Sequence, residues 1–217
     1  MLTLPIYDLP TRSASGFIIR YVLPRSIPPQ LIGPLDRKVS FSALMIGDAI
    51  IGVGHGSPTE FCGHNDEVIL NIISIPNVKG KVVILISCET AQGLGPSLIN
   101  AGALSFIGWK DDLVWVMDAD LASTPWSDKI AATSLMPVID GLNALFDGKT
   151  AGEALSIELE GYSRNAEVEE DELVKACLEF NHDNAVLLGN AGARVSPRPK
   201  ITFPIPPPPI NTPMFQD

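Results

Sequence analysis

The chain has 217 residues, 46% of them apolar and 18% charged, a globular rather than disordered composition with enough apolar residues for a sizeable core. Its formal net charge of −10 argues against nonspecific nucleic-acid binding, which needs excess Lys and Arg to neutralise phosphates. Cys62, Cys88 and Cys177 are odd in number and widely spaced, which argues against a disulfide framework and suits a reducing compartment. The opening stretch MLTLPIYDLPTRSASG lacks the basic then apolar pattern of a signal peptide, and no apolar run is long enough to span a membrane. A soluble, cytoplasmic protein with no membrane or nucleic-acid partner is expected.

In chain order, GFIIRYVLP (16–24) reads as a strand closed by Pro24, and LIGPLDRKVSF (31–41) as loop or a short turn of helix. From Ala43, ALMIGDAIIGVG is an apolar run ending at glycines, followed by a polar loop through Glu67. VILNIIS (68–74) fits a short helix or a strand equally well. KVVILIS (81–87) is a continuous branched apolar run, the mark of a strand buried on both faces of a parallel sheet. LGPSLINAGA predicts a helix of about two turns closed by Gly102, with Pro96 tolerated in its first turn. LSFIGW (104–109) is another buried strand, so strand, loop, helix and strand make a right-handed crossover unit.

After KDDLVWVMDAD come helical patterns over 125–147, 150–163 and 168–180. Leu142, Leu145 and Phe146 share one stripe, and Leu155 and Leu159 another. The acidic group Glu167, Glu169, Glu170, Asp171 and Glu172 reads as a solvated helix start favoured by the macrodipole. NAVLLGN (184–190) is a last short strand, and the Pro-rich tail from 196 to 217 suits extended or polyproline II backbone. That tail could wrap its own surface, stay disordered, or reach a neighbouring subunit in a homo-oligomer.

One pairing carries chemistry. AIIGVGH ends an apolar strand on His55, and VVILISC ends another on Cys88. In an open parallel sheet, residues just beyond the carboxyl ends of neighbouring strands share a crevice. An imidazole is the usual partner that turns a thiol into a nucleophile. The N–H groups of Gly56 and Cys88 could hold an oxyanion there. Cys62 and His64 form a Cys-x-His pair that lacks a second close pair, a poor structural metal site, so no metal is expected. GVGHGS matches a phosphate loop only superficially, with Ser57 at the third glycine and no Walker lysine following. Cys177 and His182, on or after a late helix, read as structural, and Ser87 and Thr90 as loop or cap hydrogen-bonders.

These residues resemble a known group. GHG after one apolar strand, followed by VVILISCETA in the next, is similar to the paired His-Gly and Ala/Ser-Cys motifs of caspase-like (clan CD) cysteine peptidases. CETAQGLGPSLINAGALSFIGW is similar to the segment after the nucleophile in the gingipain-like and CHAT-domain branches. LFDGKTAGEALSIELEGY and NAVLLGNAGARV resemble the closing helix and terminal strand of the same branches. The resemblance runs from about residue 45 to 195 and implies a three-layer α/β/α fold with a mainly parallel sheet. It implies one peptidase domain over 1–195, with a reduced N-terminal part over 1–42.

The activity implied is that of a cysteine endopeptidase acting on protein or peptide substrates. Cys88 would attack, His55 would handle the proton, and Gly56 and Cys88 would supply the oxyanion hole. The resemblance is to a dyad, with no third residue required to orient His55. It calls for no cofactor, and leaves activation by calcium or by self-cleavage open. Two residues before the nucleophile, where caspases use Gln and metacaspases Asp, stands Ile86, and LLGN replaces the commoner LLGD. Substrate selection then falls to Asp111 and Asp112, with Trp109 as a wall, and acidic residues there would favour Lys or Arg before the scissile bond. The alternative is an inert caspase-like domain that binds a partner without cutting.

Overall fold

A computed structural model describes residues 2–3, 8–22 and 47–196. A five-stranded sheet forms the centre, from β1 (Leu2–Thr3), β2 (Ala49–Val53), β6 (Val82–Ile86), β7 (Ser105–Trp109) and β8 (Ala185–Gly189), in the order β1-β2-β6-β7-β8. The first four are parallel and β8 runs antiparallel to β7. β6 and β7 are buried along their whole length, as continuous branched runs require when both faces of a sheet are covered.

One face carries four helices: α1 (Leu9–Tyr21), α3 (Lys129–Phe146), α4 (Ala151–Val168) and α5 (Glu172–Asn184). Phe17, Ile18, Leu135, Leu142, Tyr162 and Leu178 from these helices share one core with Ile51, Val53, Ile84 and Trp109 of the sheet. The opposite face is covered by α2 (Leu94–Asn100) and by a small antiparallel sheet of β3 (His55–Gly56), β4 (Glu60–Cys62) and β5 (Val68–Asn71). The architecture is therefore the expected three-layer α/β/α arrangement, with the second outer layer part helix and part β.

Two local expectations are corrected. Residues 16–21 are helical, not strand, and belong to α1. Asp8 caps that helix by accepting from the Thr11 N–H at 2.8 Å, Pro10 sits in its first turn, and the buried residues Ala14, Phe17, Ile18 and Val22 recur at helical spacing. A strand reading that begins at Gly16 misses the capping signals upstream. The polar stretch through Glu67 is likewise not all loop. Phe61 is 0% exposed beneath Gly52, where a Cβ would lie 2.5 Å from its ring, and this buried anchor holds β4 onto the main sheet. VILNIIS resolves into β5 over Val68–Asn71, followed by turn. The stretch 31–41, Pro24 and the tail beyond Ser196 lie outside the described residues.

Pro137 stands inside α3 and lacks the N–H that would bond the Thr133 carbonyl one turn earlier. Asn165 of α4 donates its side-chain N–H to that carbonyl at 2.7 Å, so the cost of the proline is met from the neighbouring helix. Gly161 lets the two helices close at this point, since a Cβ there would lie 2.9 Å from Pro137. The acidic group near 170 serves as expected at a helix start, with Asp171 capping α5 through Leu173 and Val174.

Candidate active site

The register of the central ladder sets the site. β2 pairs with β6 in parallel, Ala49 opposite Val82 through Val53 opposite Ile86, a constant offset of 33 residues. His55 and Cys88 each lie two residues beyond the last pair, Val53 and Ile86, and so keep that offset. Both line one cavity of about 350 Å³ at the carboxyl end of the sheet. Glycines allow the approach: a Cβ at Gly54 would lie 1.9 Å from the Cys62 carbonyl, and one at Gly56 2.2 Å from the Cys88 carbonyl. Directly after Cys88, Glu89 adopts φ 55, an unusual conformation for a non-glycine residue, so the thiol sits on a sharply bent turn. The Glu89 N–H donates to the Asp111 carbonyl at 2.9 Å, and the Ser87 and Thr90 hydroxyls meet at 3.2 Å, which hold that turn.

Sequence reasoning missed Asp8. Its Oδ2 lies 2.7 Å from His55 Nε2, while Oδ1 accepts from the Thr11 N–H and hydroxyl. Burial pushes the Asp8 carboxyl up, but the bonds from His55 and Thr11 outweigh it and leave it below its ordinary value. An ionised carboxylate only accepts, so Nε2 carries the hydrogen. His55 thus has a third residue oriented on it, against the expectation of an unassisted pair. The available signal was the capping pattern Asp-Leu-Pro-Thr at 8–11, which marks a helix start but not what the cap's second oxygen would meet.

The Cys88 thiol is pushed up to about 11, chiefly by burial. The Leu113 N–H bonded to the sulfur pulls the other way, whereas the Asp112 carboxylate accepts from the thiol and, with Glu89, repels a thiolate. At neutral pH the resting thiol is protonated.

Asp112 therefore stands beside the Cys88 thiol and lines the cavity. Asp111 turns its carboxylate to the Asp112 N–H at 2.9 Å and is not part of the lining. Trp109 is 0% exposed within the core, and the indole that lines the cavity is that of Trp115. The segment carrying Asp112, Leu113 and Trp115 is anchored by Asn181 of α5, whose amide accepts from the Val114 N–H at 2.9 Å and donates to the Val114 carbonyl at 2.6 Å. Gly56 stands opposite Phe61 in the β3–β4 ladder. The Ser57 N–H donates to the Glu60 carbonyl one step along, and alternation of bonded and non-bonded pairs leaves the Gly56 N–H directed away from β4. Cys62 lies opposite His55 on β4, and burial, with Glu60 and Asp66 nearby, raises its thiol too. Cys177 and His182 lie on α5, where His182 meets Asp183 at 2.9 Å.

No family model matches the chain, and no curated protein matches it. A solved structure described as "Structure of Protease" superposes with a TM-score of 0.62 at 13% sequence identity, covering 89% of this chain and 48% of that one. The chain thus shares its fold with part of that structure and spans about half of its length. Among the described residues, no helix is long and apolar enough to cross a membrane.

Proposed function

We propose that the protein is a cysteine endopeptidase of caspase-like type, with Cys88 as nucleophile and His55 as its proton carrier. The observation that carries the reading is the meeting of a carboxylate-bonded imidazole and a thiol in one cavity, from the ends of two adjacent parallel strands. Cys88 Sγ bonds to the substrate carbonyl carbon, and its proton passes to His55 Nδ1, since Nε2 is engaged by Asp8. The C–N bond then breaks, His55 protonates the leaving amine, and water releases the acyl group from sulfur. Asp8 stabilises the imidazolium formed between these steps, the role a carboxylate plays beside a catalytic histidine. The Gly56 and Cys88 N–H groups would receive the negative charge on the carbonyl oxygen. The fold shared with part of the structure described as a protease supports the same reading.

Cys88→Ala should abolish hydrolysis of a fluorogenic peptide library and labelling by a thiol-reactive peptide ketone. Undiminished hydrolysis in that variant would sink the proposal. The second reading, an inert domain that binds peptides without cutting, is favoured by one observation. Burial and Asp112 hold the resting thiol protonated. Under that reading, the wild-type protein and Cys88→Ala bind peptides alike and neither turns them over.

A further inference from the structure

We infer that the cavity beside Cys88 receives the side chain preceding the scissile bond, and that it selects a large aliphatic side chain, leucine or methionine, over lysine or arginine. This deepens the peptidase reading and rests on it for the direction of the chain. The inner lining is apolar and its side chains are almost wholly buried: Val53 is 1% exposed, Ala14 and Ile86 3% each, and Leu113 6%. Trp115 and Met117, half-buried, complete the walls. The volume of about 350 Å³ sits at the small end of ligand cavities, room for one large side chain with its peptide group.

Among the described residues, the ionisable groups in the lining are His55, Cys88 and Asp112. Asp112 belongs to the exposed rim, and its carboxylate already accepts a hydrogen bond from the thiol. Asp111, the other acidic residue of this segment, faces away from the cavity. A lysine or arginine long enough to fill the space would carry its charge past Asp112 into the pocket formed by Ala14, Val53, Ile86 and Leu113, where no acid among the described residues lines the wall. Burying an unpaired charge is far costlier than burying methylenes is favourable. The acidic pair at 111–112 therefore does not make a basic-residue pocket.

The test compares fluorogenic peptides that differ only at the residue before the cleaved bond, carrying Leu, Met, Ala, Lys or Arg. The expected result is kcat/KM at least tenfold higher for Leu and Met than for Lys and Arg, in the range of about 10–200-fold that apolar pockets deliver. Ala14→Leu should shift the preference from Leu toward Ala, and Ile86→Ala should open it toward Phe, so that either variant suffices if the other fails to fold. Cleavage after Lys or Arg equal to or above that after Leu overturns the inference and leaves the peptidase reading standing. If no peptide is cut, binding of the uncleaved Leu and Lys peptides to Cys88→Ala, read by tryptophan fluorescence, decides. Tenfold preference for the Leu peptide upholds the pocket while the peptidase reading fails. Equal binding, or none, overturns the pocket as well.

Discussion

Asp8 performs two tasks with one carboxylate, and the two can be separated by substitution. Asp8→Ala removes the cap on the Thr11 N–H and the bond to His55. Loss of an N-cap costs about 1 kcal/mol. The His55 contact joins side chains that are 45% and 29% exposed, so solvent screening holds its share to about 0.5 kcal/mol. The alanine variant should therefore lose about 1.5 kcal/mol at neutral pH. Asp8→Asn keeps an equally good capping oxygen and loses the charge, so it should lose only about 0.5 kcal/mol. The sign of the pH dependence follows from the direction of the shift. A carboxyl held below its ordinary value contributes stability that is present above the unfolded value and lost as pH falls through the folded one. The gap between wild type and Asp8→Ala should thus be flat near neutrality and narrow once pH drops below about 4. Urea unfolding of the three proteins at several pH values measures all of this. Activity splits the roles again, since the proposed mechanism requires both substitutions to lower kcat for the best peptide. Equal stability losses for Asn and Ala, or unchanged kcat in both, would refute the division of labour.

The raised Cys88 thiol predicts slow alkylation by iodoacetamide at pH 7, with the rate climbing toward pH 11, and Asp112→Asn should move that profile to lower pH by removing the acceptor and its charge. A wild-type inflection below pH 8 would contradict the described burial. Glu158 of α4 is 4% exposed, its Oε1 has no partner among the described residues, and burial pushes its carboxyl up to about 8. The folded state then holds a proton that the unfolded state releases above its ordinary value of 4.5, so this residue lowers stability progressively as pH rises from there toward 8. Glu158→Gln should be more stabilising, relative to wild type, at pH 7.5 than at pH 5, on the order of 1 kcal/mol or more. Parallel stability curves for the two proteins would show that Glu158 is not held neutral.

Much of the fold was legible because its signals are local. The strands β6 and β7 announce themselves as unbroken branched runs, and α3, α4 and α5 as periodic stripes in which Leu142 and Leu145 are indeed buried. The misreading at 16–21 has an equally local cause. Phe17, Ile18 and Ile19 have strand-like side chains, and the helix they join is decided by the Asp8 cap well upstream and by a sheet face waiting for Ala14, Phe17 and Ile18. Tertiary packing overrode propensity there.

By itself the sequence determined two apolar runs that lead into His55 and Cys88, 33 residues apart, and a helix between β6 and β7 that makes them parallel. That the two residues share one cavity was decided by the register of β2 against β6, where every pair carries the same offset of 33. Hydrophobic runs specify burial on both faces but not which strand lies alongside, nor at what stagger. Asp8 comes to His55 across 47 residues, and Asn181 reaches Val114 across 67, because α1 and α5 pack on the same face of the sheet. Such contacts join distant polar groups with no periodicity to betray them, so only the folded chain brings them together.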